Sequence, residues 1–348
     1  MIGSMIQFII ILLLSLSALA VEVTFQAPPY NLPDRNFQNQ KESMVLSEMP
    51  PLRKQGNAGH CFAFSTASAI DHFLCSKKIS YFDFADLCVK KLPIVSSLHL
   101  TSLSAGNSDQ AIVEGGFSNG ILLTIGQADP YLILETCAPY ENYLEYLARY
   151  SDKKQGNESL FQTVKRIYNG QLERRYSCGE EFARTLSHFT SNLDFDQIIA
   201  FSKDATFEQM LYATIIPKKC HGSDKRVDVF KELGFDIKQS SQFFQNFKID
   251  YEYFYKTVKE QIAGDTPLII NFFVGASTSN KDQVHSALIT GIKKVCNDKQ
   301  QCQTLFKIQN SYGDWWQSQY SDGWVLADPL IERSVYINLP LLWIKKRY

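Results

Sequence analysis

Apolar and polar positions recur with two different periods along this chain, and the change of period divides it. Phe62, Ala63, Phe64, Ala67, Ala69 and Ile70 crowd together with only small residues between them, the pattern of a helix buried on most of its sides. Tyr81 to Lys91 reads as a second helix and Ile121 to Gln127 as a short apolar one. Far downstream, Tyr251 to Ala263 is helical, and Pro267-Leu268-Ile269-Ile270-Asn271-Phe272-Phe273 reads as a strand. Val284 to Ile292, Thr304 to Gln309 and Gly323 to Leu326 supply further strands. Helices gather early and strands late, an α+β arrangement.

Two stretches depart from this pattern. Residues 21–50 are rich in Pro, Asn and Gln; Val21 to Phe25 is strand-like, and Pro28-Pro29 and Pro33 break any helix. From about 141 to 245 the chain is polar, with helical patches at Tyr143–Tyr150, Leu160–Ile167, Glu180–Phe189 and Phe207–Tyr212. Lys165, Arg166, Arg174 and Arg175 make a basic cluster there, read as a solvated face.

Residues 1–20 stand apart. Ile6 to Leu19 are almost wholly apolar, and Ala18-Leu19-Ala20 has the small-x-small form that signal peptidase cleaves. A signal peptide over 1–20 and an exported protein, secreted or periplasmic, follow; an uncleaved N-terminal anchor is the alternative. No cysteine follows the cleavage point, which disfavours a lipoprotein.

A chain of 348 residues suits one large domain or two modest ones. The net charge of −1 argues against nucleic-acid binding and against stable membrane association through basic residues. Eight cysteines in an exported chain imply disulfides. Cys296 and Cys302 form the easiest pair, because only the polar turn 297–301 separates their two strands. Metal binding is the rival use of these cysteines, but neither CxxC nor HxxxH spacing occurs, so no metal and no cofactor are expected.

Cys61 carries the candidate chemistry. Gly56 and Gly59 allow a tight loop before it, and the buried helix begins at once. A thiol at a helix start faces the positive end of the dipole, which favours the nucleophilic thiolate. A structural cysteine in an apolar helix is the plain alternative.

The run QGNAGHCFAFS from Gln55 to Ser65 resembles the active-site segment of the papain-like cysteine proteases. Gln55 stands six positions before Cys61, the family's separation for the glutamine of the oxyanion hole. His60, Ala58 and Phe62 stand where the family usually has Ser, a disulfide Cys and Trp. His285 in VHSALITGI resembles the family's histidine, and Asn310 in NSYGDWW its asparagine. The gap of 25 residues between them is wide, and the Cys296–Cys302 hairpin accounts for the excess. Tyr312 replaces the Trp that shields the His–Asn bond, with Trp315 and Trp316 close by. His60 adjoins Cys61, but neighbouring side chains at a helix start diverge, so it is not assigned as the base.

This resemblance implies a two-lobed fold, with a helical lobe carrying Cys61, a β-rich lobe carrying His285 and Asn310, and 141–245 as a mainly helical insertion in the catalytic domain 21–348. It implies a cysteine endopeptidase acting on protein or peptide substrates, with Cys61, His285, Asn310 and Gln55 catalytic. Gly115 and Gly116 would pair with an extended substrate, and Phe117 and the region of Ser286 would line the main apolar pocket. Cys88 looks like the cysteine that ends a family helix in a disulfide, with Cys137 or Cys178 as partner. The 34 residues from 21 to 54 leave no room for the usual helical propeptide. An inert binding module and an acyl transferase using the same thioester are the rival readings.

Overall fold

The computed structural model describes residues 24, 26, 28–56, 59–76, 84–103, 116, 118–127, 131–141, 166, 168–170, 183, 184, 198, 216–221, 226–228, 235–240, 243–245, 248–276, 283–337 and 340–346. The expected signal peptide, Gly115, Phe117, Cys178 and most of the helical patches between 141 and 245 lie outside them. Helices run over α1 (Cys61–Ser76), α2 (Phe84–Val89), α3 (Ser97–Leu103), α4 (Ser118–Gln127), α5 (Tyr251–Ala263), α6 (Asp314–Gln319) and α7 (Ala327–Ser334). Strands are β1 (Asn39–Val45), β2 (Tyr131–Ile133), β3 (Arg226–Asp228), β4 (Phe235–Ser240), β5 (Phe244–Gln245), β6 (Lys248–Ile249), β7 (Leu268–Phe273), β8 (Val284–Cys296), β9 (Cys302–Gln309), β10 (Trp324–Leu326) and β11 (Leu341–Lys346).

One antiparallel sheet, ordered β10-β9-β8-β7-β11-β4, organises the chain. Strand β8 is long enough to take two partners along one edge: β7 pairs with its first half, Phe272 opposite His285, and β1 with its second half, Asn39 opposite Cys296. Successive residues of a strand point to opposite faces, and both faces here are covered. Ile269, Leu288, Leu342 and Ile344 pack with Phe62, Ala69 and Phe73 of α1, whereas Leu268, Ile270, Phe272, Ile289 and Trp343 pack with Phe254 and Val258 of α5 and Leu330 and Ile331 of α7. Burial on both faces explains why β7 is apolar at every position but Asn271 rather than alternating. Asp250 caps α5, accepting from the Tyr253 backbone N–H at 2.9 Å.

The expected pair Cys296–Cys302 is present, closing the β8–β9 hairpin. The expectation for Cys88 is corrected: it bonds Cys75, at the end of α1, and Cys137 bonds Cys220 instead. Cys75 and Cys88 stand at a Cα separation of 5.5 Å, within disulfide range. Cys61 is free. Within the 141–245 segment, β4 forms the edge of the main sheet against β11, β3 pairs with β2, and Cys220 ties the segment to residue 137.

Candidate active site

The turn before α1 needs Gly56, whose φ of +63° is readily adopted only without a side chain. The helix then starts as the Ala63 and Phe64 N–H groups close on the His60 carbonyl at 2.9 and 3.2 Å. Cys61 opens the helix as its first residue and is buried. The backbone N–H of Ser286, in β8, is among the groups that favour the Cys61 thiolate. Burial pushes the thiol up to about 11, opposed by that N–H and by the Phe62 and Cys61 N–H groups.

His285 Nε2 lies 2.9 Å from Asn310 Oδ1. The backbone N–H of Tyr312 also points at this oxygen, at 3.4 Å, and Asn310 Nδ2 donates to Tyr30 Oη at 3.0 Å. A backbone N–H can only donate and an amide oxygen can only accept, which orients the Asn310 amide and puts the ring proton on Nε2. The ring's other nitrogen, Nδ1, is thereby left as an acceptor. Tyr312 stacks on the imidazole at 4.7 Å and 21°, and Phe272 meets it edge-on at 5.5 Å. This apolar casing pushes His285 down to about 4 by burial, against the raising effect of its bond to Asn310.

Gln55 is brought to the same place by backbone pairing. Its N–H donates to the Ser311 carbonyl at 3.0 Å, and Lys54 bridges to Tyr312. The Ser311 hydroxyl donates to Gln55 Oε1 at 2.5 Å. His60 is held elsewhere, with Nδ1 2.8 Å from the Tyr140 hydroxyl.

Gly116 backs onto α1: a Cβ there would stand 2.7 Å from the Phe62 ring. The Ser286 side chain turns inward, donating to Asn271 Oδ1 at 2.5 Å, so its backbone is what faces Cys61. Behind it, a cavity of about 10 Å³ bounded by Arg53, Ser68, Ser286 and Gln309 is no larger than one water. Trp316 is buried against Tyr30 and Tyr320, while Trp315 is 69% exposed and Tyr312 40%.

Three contributors escaped the reading of the sequence. Ser311 lies inside the NSYG run, and an acceptor-orienting hydroxyl beside the asparagine could have been suspected there. Arg53, two residues before Gln55, is buried; it meets Asp71 of α1 at 2.5 Å, Glu135 at 3.2 Å and Ser97 Oγ at 2.7 Å. Asp71 also accepts from the Ile94 and Val95 N–H groups, and Glu135 from Ser97 and Tyr140. Burial works against the Arg53 charge, and the two carboxylates more than offset it. The Gln55 segment is thus tied to the middle of α1. Tyr30 is the third, and nothing in its own neighbourhood of sequence marks it.

No protein-family model and no curated protein sequence matches the chain. Solved structures that resemble it do so distantly. SERA5E from Plasmodium falciparum is 11% identical, over 85% of this chain and 88% of that one, with a TM-score of 0.42. Xylellain, a cysteine protease from Xylella fastidiosa, is 14% identical over 94% and 98%, with a TM-score of 0.41. Digestive procathepsin L 3 of the Tenebrio molitor larval midgut is 11% identical over 94% and 84%, with a TM-score of 0.41.

Proposed function

We propose that this chain is a papain-like cysteine peptidase, two-lobed, with Cys61 as nucleophile, His285 as base and acid, Asn310 orienting the imidazole and Gln55 in the oxyanion hole. The observation that carries the reading is the His285–Asn310 contact: it commits Nε2 and leaves Nδ1 as the proton acceptor, on the strand whose Ser286 N–H favours the Cys61 thiolate. In this reading the Cys61 proton passes to His285 Nδ1 as sulfur attacks a peptide carbonyl. The carbonyl π electrons move to oxygen, where the Gln55 amide NH₂ and the Cys61 N–H receive the charge. The tetrahedral intermediate collapses, the C–N bond breaks, and His285 gives the proton to the departing nitrogen. Water, deprotonated by His285, then attacks the thioester; the acid leaves and the thiol is restored.

Burial disfavours thiolate and imidazolium when each stands alone, but forming both together within one dry site lets each neutralise the other. Only one proton is shared by the pair between its two titration steps, and its apparent pKa values belong to the pair. Gly115, Gly116 and Phe117 supply the substrate-facing wall in this reading, and Gly116 has no space for a side chain. Residues 1–20 direct export, and the three disulfides fit an oxidising compartment. Among the described residues no helix is long and apolar enough to cross a membrane.

A catalytically inert binding module is the second reading, favoured by the burial of Cys61 and the rise of its thiol to about 11. Incubation with a peptide library, with new termini read by mass spectrometry, decides between them. Wild-type protein is expected to cleave and Cys61→Ala to leave every peptide intact. Intact peptides with both proteins contradict the peptidase, and joined peptides without free acids point to transfer.

A further inference from the structure

We infer that Tyr30, from the N-terminal segment, is a positioning residue that holds Asn310 in the orientation His285 requires; the inference rests on the peptidase reading of that site. Asn310 is buried, and its amide has two nearly isosteric ends. On one end, Oδ1 takes His285 Nε2 and the Tyr312 N–H. On the other, Nδ2 donates to the Tyr30 hydroxyl at 3.0 Å, across 280 residues of sequence. Without that hydroxyl the Nδ2 protons lose their one hydrogen bond among the described residues, on an amide that is 1% exposed. The amide then gains by rotating, and each rotation weakens the bond that keeps the imidazole proton on Nε2.

The phenol is itself firmly set. Its ring meets Trp316 edge-on at 4.7 Å, Phe272 at 5.6 Å and Tyr320 at 5.5 Å. On either side, Pro29 is buried and the Asn31 carbonyl accepts from the Leu326 N–H at 2.7 Å, at the end of β10. A side chain pinned by aromatic contacts and flanking anchors can hold another in place. Burial raises the Tyr30 phenol, with Tyr312 and Cys61 adding to the rise, so it stays neutral through pH 9. Tyr312, which also faces the pair, is raised in the same way.

The test uses the full chain as wild type, Tyr30→Phe and Tyr320→Phe, the last removing a hydroxyl from the same aromatic cluster. The first readout is the rate of iodoacetamide alkylation at Cys61 from pH 4 to 9, with the site located by peptide mass mapping. Tyr30→Phe is expected to slow alkylation at pH 6 by about ten-fold, the scale of one lost hydrogen bond, and Tyr320→Phe to stay within about two-fold. Rates for Tyr30→Phe within about two-fold of wild type overturn the inference. If wild type shows only the pH profile of an isolated thiol, the peptidase reading fails instead. The second readout does not depend on that reading: the ¹⁵N shifts of the His285 ring, assigned by their loss in His285→Gln. The wild-type ring is expected as the Nε2–H tautomer and the Tyr30→Phe ring as a mixture; identical tautomers in the two proteins overturn the inference.

Discussion

The hydroxyl of Ser311 donates to Oε1 of Gln55 at 2.5 Å, joining residues 256 positions apart. Because the amide oxygen is engaged there, the NH₂ end of Gln55 points away from Ser311, the orientation an oxyanion donor needs. Gln55→Ala is expected to lower kcat by about 10²–10³, the loss of one oxyanion donor. Ser311→Ala, which leaves the donor but frees its orientation, is expected to lose about ten-fold, with KM little changed in both. Steady-state kinetics on one cleaved peptide check the order of these effects, and an equal loss in the two variants contradicts it.

Arg53 and Asp71 are expected to matter for stability rather than chemistry. Arg53→Met leaves Asp71 without its cation at 0% exposure, a change of about 3–5 kcal/mol when one partner of a buried ion pair is removed. Replacing Arg53 and Asp71 together, by Met and Leu, is expected to recover part of this, although the Ile94 and Val95 N–H groups then lose their acceptor. Urea unfolding of the single and double variants measures it; additive losses contradict the pairing.

Gly116→Ala drives a methyl to 2.7 Å from the Phe62 ring, one residue from Cys61 in sequence. Phe62 is fully buried, so the ring has nowhere to retreat without moving α1. A loss of about 1–3 kcal/mol is expected from overpacking, with a fall in kcat as Cys61 shifts. A variant as stable and as active as wild type contradicts the contact.

The pH dependence of stability has a definite sign. His285 is pushed down to about 4 from 6.5, so between those values the unfolded chain binds a proton that the native state refuses. Stability is expected to fall as pH drops from about 6.5 to about 4, by about 3 kcal/mol at most. Cys61 acts at the other end: its rise from 9.0 to about 11 stabilises the fold below pH 9 and loses that contribution as pH climbs to 11. Urea midpoints against pH, with His285→Gln flattening the acid slope, test this; an unchanged slope in the variant contradicts it.

Much of this was legible in the sequence where burial leaves a periodic trace. The apolar run after Cys61, the helix Tyr251–Ala263, the strand carrying His285 and the strand ending just before Asn310 appear where their patterns lie. Strand β1 left no such trace, since its residues are nearly all exposed and it forms through backbone pairing with β8. The Cys75–Cys88 bond depended on where two helices come to rest, which cysteine spacing does not encode. Arg53 and Tyr30 were invisible for a related reason: their partners lie 18 to 280 positions away and share no local motif with them.

Reaction with a peptidyl epoxide followed by peptide mass mapping tests the pairing of Cys61 with His285 most directly. A single adduct on Cys61 is expected in the wild-type protein, falling by about 10²–10⁴ in rate in His285→Ala. Labelling of Cys61 at the same rate in both proteins, or none in the wild type, would contradict the account.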